Sequence, residues 1–251
     1  MVVDSRERFS ATVDAYDKYR PSYPPALIDW VVALGPFAEG ARVVDLGCGT
    51  GISSRLFAER GFDVTGVEPN AAMRERAADK GGGVRYAAGE AAATGLPDAS
   101  ADLLVAAQAF HWFDIPVAMR EIARVLVPGG WAAAFWNVRA SSPFQDRYEA
   151  LLQAYSSEYR KIRRFLDTVD AIRTFPGALD VREAQFEHPR QLDRAAFFGL
   201  VESSSYVMHG IDDRAGFDRE LSALFDEHVA AAEGTVDFAT RNVAIGWRLA
   251  P

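Results

Sequence analysis

From residue 26 the chain alternates short apolar runs with segments of helical periodicity, and the two kinds of segment take turns. Ala26 to Leu34 is apolar at Leu27, Val31 and Leu34, the spacing of one helix face, and Gly35-Pro36 ends it. Arg42 to Leu46 predicts a first strand, followed by glycines and a helix that turns Leu56 and Phe57 inward. Phe62 to Val67 predicts a second strand, ending at Glu68-Pro69-Asn70, and Ala71 to Asp79 a helix stopped by Gly81-Gly82-Gly83. Val84 to Ala88, Ala101 to Ala106 and Trp131 to Trp136 predict strands three to five, and Ala118, Ile122, Val125 and Leu126 share one face of a helix before the last of these. Pro128-Gly129-Gly130 reads as the turn between them.

This alternation implies a mostly parallel sheet with helices on both faces. It lapses between about 140 and 181, where Leu151, Leu152, Tyr155, Tyr159, Ile162 and Phe165 predict a helical insertion. Val181 to Phe186 and Val243 to Leu249 predict the last strands. The expectation is one domain over 1–251. Residues 9–25 would form an N-terminal lid, 26–139 a cofactor-binding core and 140–205 a partial cap, with 206–251 supplying a helix and a strand that complete the sheet.

The stretch from Val43 to Gly51, V-V-D-L-G-C-G-T-G, leaves the first strand and opens a helix. Backbone N–H groups have no intrahelical partner there, and Gly47, Gly49 and Gly51 let the chain turn sharply beside a ligand. The dinucleotide pattern G-x-G-x-x-G/A needs glycine or alanine at 52, where this chain has Ile52. Asp45 is unfavourable beside a pyrophosphate but suits a ligand carrying an ammonium group. The choice is S-adenosylmethionine over NAD. Glu68, with Pro69 beside it, ends the next strand seventeen residues after Gly51 and can accept hydrogen bonds from two ribose hydroxyls.

On these residues the chain resembles the class I S-adenosylmethionine-dependent methyltransferases of the small-molecule type, and is similar to the trans-aconitate methyltransferase-like group. Three further blocks carry the resemblance: Tyr16-Asp17-Lys18-Tyr19-Arg20-Pro21-Ser22-Tyr23-Pro24, Ala107-Gln108-Ala109-Phe110-His111-Trp112-Phe113-Asp114, and Arg124-Val125-Leu126-Val127-Pro128-Gly129-Gly130. A weaker echo is Ser203-Ser204-Ser205-Tyr206. The resemblance implies a Rossmann-like seven-stranded sheet with its last strand antiparallel, and S-adenosylmethionine as cofactor. It places Glu90 and Ala91 at the adenine and Gln108 beside the methionine part. Relatives often read Ala-Glu after Gly89, whereas this chain has Ala91-Ala92 with Glu90 one position earlier.

Methyl transfer needs a base for a hydroxyl or protonated amine but none for a carboxylate. His111 follows the fourth strand, at the edge where open α/β sheets bind ligands, and has three readings: base, orienting donor, or structural hydrogen bonder. Tyr19, Trp112 and Asn137 join it as candidate pocket residues, Trp112 and Phe113 being equally readable as core aromatics. Tyr16 and Arg20 are candidates to close on the cofactor, the arginine meeting the methionine carboxylate. Arg139 follows the fifth strand and could face the site. The expected acceptor is a small molecule, methylated on a carboxylate or hydroxyl oxygen. The alternatives are N- or C-methylation, or a cofactor-binding protein of this fold without transfer.

Composition removes other classes. A net charge of −8 and a pI near 5.1 disfavour nucleic acid and anionic membrane surfaces as partners. The basic run from Arg160 to Arg164 reads as a solvated helix face, and Cys48, the single cysteine, as a small filler. There is no secretory leader pattern, no apolar run of about 20 residues, no metal-ligand spacing and no G-x-S-x-G elbow. The expected compartment is the cytoplasm.

Overall fold

The computed structural model describes residues 19–161, 165–229 and 234–250. Residues 9–18 of the expected lid, Tyr16 among them, and 162–164 of the basic run lie outside the described residues.

A central sheet has the order β3-β2-β1-β4-β5-β9-β6. Its strands are β1 (Arg42–Leu46), β2 (Asp63–Val67), β3 (Arg85–Ala87), β4 (Ala101–Ala107), β5 (Leu126–Arg139), β6 (Ala178–His188) and β9 (Thr240–Leu249). The first five are parallel, and β9 runs antiparallel to both β5 and β6. β5, β6 and β9 run longer than their apolar runs predicted. Leu126 already pairs with Ala101, and a register shift before Leu103 absorbs the expected Pro128-Gly129-Gly130 turn within the strand.

Alternating side chains build two apolar layers. Val43, Leu103, Val105, Ala133 and Phe135 face α1 (Pro25–Val32) and α2 (Ile52–Ala58). Val44, Leu46, Leu104, Ala106 and Ala134 face α4 (Ile115–Val125) and α7 (Phe165–Arg173). Helix α4 begins where the Asp114 carboxylate accepts the Val117 N–H at 3.3 Å, and it buries Ala118, Met119, Ile122 and Val125. Helix α3 (Ala71–Asp79) begins at Asn70, whose side chain accepts the Met73 N–H at 3.0 Å.

β1 has β2 on one side and β4 on the other, so the chain reverses direction across the sheet beside β1. That switch opens a crevice at the carboxyl ends of the strands, the usual ligand site of open α/β sheets.

The cap differs from its expected limits of 140–205. It is built from α5 (Pro143–Tyr155), α6 (Ser157–Lys161), the pair β7 (Gln191–Asp193) and β8 (Thr235–Asp237), α8 (Arg194–Glu202), α9 (Ser205–Met208) and α10 (Arg214–His228). Phe144, Tyr148, Leu152, Phe197, Leu221 and Phe225 share its separate core. Two segments within 140–205 belong instead to the main body: β6 joins the sheet, and Val169 and Ile172 of α7 pack beneath it. The helix expected after 206 is α10 and stays in the cap, so β9 alone completes the sheet from that end. Apolar periodicity marks a buried face without saying which core buries it.

Candidate active site

A cavity of about 480 Å³ lies between the carboxyl ends of the strands and the cap. The glycine loop forms its floor. The Gly47 and Cys48 N–H groups both donate to the Val67 carbonyl, at 2.8 and 3.2 Å, tying the loop to β2. Gly49 has φ +56, and a Cβ there would find only the Met73 sulfur, at 3.8 Å, so the loop presents open space where it meets the cavity. Gly47 and Gly49 line the cavity; Gly51 does not. Gly51 has φ +75 and a Cβ there would run into the Tyr86 hydroxyl, so this glycine is required by the helix start and by Tyr86 rather than by a ligand.

Glu68 lines the cavity with 7% of its surface exposed. One carboxylate oxygen accepts the Gly49 N–H and the other the Asn70 N–H, each at 2.9 Å. Burial pushes its pKa up, and those two backbone donors pull the other way. Each oxygen has a second lone pair, so the carboxylate is fixed in place and can still accept two ligand hydroxyls. Pro69, Asn70, Glu90 and Ala91 line the same side.

Asp45 departs from the expectation. It is fully buried and does not line the cavity. Its carboxylate accepts the Ser53 and Ser54 hydroxyls, both at 2.6 Å, pinning the first turn of α2 to β1, and burial pushes its pKa up to about 6. A strand residue's side chain alternates between faces, and position 45 points into the packed layer under α2.

Gln108 adopts φ +56, a left-handed conformation costly for a residue with a Cβ and concentrated at functional sites. Its N–H donates to the Phe135 carbonyl at 2.9 Å and its side-chain amide to the Asn137 carbonyl at 3.2 Å, holding it at the cavity. Asn137 also lines the cavity, and its side chain accepts from Asn242. Trp112 lines the mouth and is 38% exposed.

His111 does not line the cavity, nor does any other histidine among the described residues. Its Nδ1 accepts the indole N–H of buried Trp136 at 3.2 Å, and its ring packs against Trp112 at 4.9 Å. An imidazole nitrogen that accepts from an indole carries no proton of its own and spends its lone pair on that bond. Of the three readings for His111 the structural one fits this geometry. Tyr19 also leaves the candidate pocket, because its ring packs over Gly199 of the cap. Arg20 does line the cavity and donates to the Ser203 carbonyl at 3.2 Å.

The cap side brings together Arg139 and Tyr206, which the sequence marked, with Tyr148, which it did not. Arg139, at the end of β5, donates to Glu149 and Tyr159, and at 3.4 Å to the Tyr206 hydroxyl. Its guanidinium lies 5.4 Å from the Tyr148 ring centroid and 5.5 Å from that of Tyr159. Burial works against its charge, yet the surrounding phenols and Glu149 hold its pKa above the ordinary value. Tyr148 and Tyr206 line the cavity with it. Tyr206 had a signal in the Ser-Ser-Ser-Tyr echo, whereas Tyr148 sits at an ordinary apolar position of α5.

Residues 44–134 match the model of a methyltransferase domain. A solved structure from Anaeromyxobacter dehalogenans, assigned as a type II methyltransferase, is 30% identical and superposes with a TM-score of 0.71 over 93% of this chain and 99% of that one. The chain belongs to the methyltransferase family. An uncharacterized methyltransferase of Mycobacterium tuberculosis is 41% identical over 131 residues, 52% of each chain. A malonyl-[acyl-carrier protein] O-methyltransferase of Serratia marcescens is 31% identical over 150 residues, 57% of this chain and 58% of that one. The chain spans little more than half the length of the curated relatives it matches. The family match lies in the sheet and glycine loop and leaves out the cap, where Tyr148 and Tyr206 sit. Among the described residues there is no helix long and apolar enough to cross a membrane and no cluster of three or more side chains able to hold a metal.

Proposed function

We propose that this protein transfers a methyl group from S-adenosylmethionine to an oxygen of a small-molecule acceptor, a carboxylate or a hydroxyl. The observation that carries the reading is the Glu68 carboxylate, fixed by two backbone N–H groups beside open space at Gly49 on the cavity floor. The residues present fit the cofactor: a buried carboxylate with spare acceptor capacity for a ribose, glycine backbone that admits close approach, and a volume in the usual range for such ligands. When bound, S-adenosylmethionine supplies a methyl carbon activated by its sulfonium.

The protein's own residues bind, orient and exclude water. Glu68 holds the ribose, the backbone at Gly47 and Gly49 lies against the cofactor, and Glu90 with Ala91 meets the adenine. Gln108, locked by Phe135 and Asn137, orients the methionine part, and Arg20 is the cation for its carboxylate. The cap closes the cavity over the strand ends, which suits a small acceptor rather than a nucleic acid or a membrane surface. With no histidine lining the cavity among the described residues, a carboxylate that needs no deprotonation is the favoured acceptor. The resemblance to the trans-aconitate methyltransferase-like group supports the same choice.

Calorimetry with S-adenosylhomocysteine tests the cofactor, and a tritiated methyl donor incubated with a metabolite extract tests transfer. Base-labile label in small acids is the expected result. Absence of S-adenosylhomocysteine binding ends the reading, and tight binding without label reduces it to a binding protein of this fold.

A further inference from the structure

The charged residues lining the cavity are divided by sign. The acids, Glu68, Glu90 and Asp114, follow β2, β3 and β4, whereas Arg20 and Arg139 are both hydrogen-bonded to the cap. A cationic sulfonium and an anion would therefore be drawn to different parts of one cavity.

Tyr148 is the second observation. Its side chain is 2% exposed, and its ring packs among Phe197 and Phe238 with centroids 5.5 and 6.2 Å away. It lines the cavity, yet its hydroxyl makes no hydrogen bond among the described residues. The hydroxyl is not among the enclosed, unpartnered polar atoms, so it faces the open cavity and can donate to a ligand there.

Arg139 supplies the charge. Glu149, Tyr159 and Tyr206 take three of its hydrogen bonds, while a guanidinium carries five N–H donors. Stacked on Tyr148 and Tyr159, it is fixed before any ligand arrives. The Tyr206 hydroxyl accepts from Arg139, which leaves its own proton to donate. Burial would raise that phenol's pKa, but Arg139 and Arg20 together draw it below its ordinary value, making it a stronger donor.

We infer that Arg139, Tyr148 and Tyr206 form an oxyanion subsite that takes the carboxylate of the acceptor, a small organic acid. The inference rests on the methyltransferase reading for the word acceptor, but the subsite itself can be measured by binding alone.

Replacing Arg139 risks loosening the cap from β5, so the decisive variant is Tyr148→Phe, which removes only an unpartnered hydroxyl and leaves the cap packed. Thermal shift and calorimetry on the full chain saturated with S-adenosylhomocysteine would compare succinate and benzoate with their amides. The expected result is that at least one acid binds wild type in preference to its amide. Tyr148→Phe should then weaken that acid about ten- to a hundredfold, the worth of one hydrogen bond to a charged group, with an unchanged melting temperature before acid is added. Acid and amide binding alike, neither acid binding at millimolar concentration, or acid affinity undiminished in Tyr148→Phe would overturn the subsite. S-adenosylhomocysteine affinity, measured by a separate titration before any acid is added, separates this failure from that of the methyltransferase reading, which alone would abolish it.

Discussion

Replacing Glu68 by Gln changes one oxygen to an NH₂ group at nearly constant volume, and the consequences can be worked through from its contacts. In the wild type both carboxylate oxygens accept a backbone N–H, from Gly49 and from Asn70, at 2.9 Å. In the variant the amide nitrogen must face one of these donors, leaving that N–H unsatisfied at a cost of about 1–3 kcal/mol. Removing a charge that burial disfavours offsets part of the loss. The melting temperature should therefore fall by less than about 12 °C, at roughly 2–4 °C per kcal/mol for a chain of this size. Cofactor binding should suffer more. Two charge-assisted bonds to ribose hydroxyls are worth about 1.5–3 kcal/mol each, and the amide keeps one weaker, neutral acceptor. A net loss of about 2–4 kcal/mol is roughly a thirtyfold to thousandfold rise in Kd. Titration calorimetry with S-adenosylhomocysteine on protein shown to be folded is the assay. An affinity within about threefold of wild type would remove Glu68 from the ribose site and with it the main support for the proposed function.

Three further outcomes are expected. His111→Ala should lower stability by about 1–3 kcal/mol, by stranding the buried Trp136 indole N–H, and leave S-adenosylhomocysteine affinity unchanged; a large affinity loss at equal folding would return His111 to the site. Asp45 has a folded pKa of about 6 against an ordinary 3.8, so the folded state binds the extra proton between those values. Stability should then fall as pH rises from about 4 to 6, by at most about 3 kcal/mol, and Asp45→Asn should flatten that slope in denaturant melts; an unchanged slope would refute the assignment. Glu121 acts with the opposite sign. Arg124 and Thr94 hold its pKa down to about 2, so its contribution is present above the ordinary 4.5 and lost as pH falls toward 2. Glu121→Gln should therefore cost stability at pH 7 but little at pH 2, and equal losses at both would count against the clamp.

Part of the cavity's lining was legible because its sequence pattern is local. A glycine loop leaving a strand and an acid ending the next strand occupy fixed places in a βαβ unit, so Gly47, Gly49 and Glu68 fall at the cavity wherever the fold forms. Asp45 and His111 were misplaced for one reason. A residue beside a site is not necessarily aimed at it, and the Ser53 and Ser54 hydroxyls and the Trp136 indole claimed those side chains instead.

By itself the sequence determined the alternation of strands and helices, the parallel sheet and the position of the glycine loop, since each depends on periodicity and on neighbours within a few tens of residues. Tertiary structure alone decided the rest. It placed β9 between β5 and β6, put α7 and β6 in the body, and gave α10 to the cap. It also gathered Arg139, Tyr148 and Tyr206 around one cavity. Those three positions are separated by as many as 67 residues, and nothing short of the packed cap brings them within reach of a single ligand.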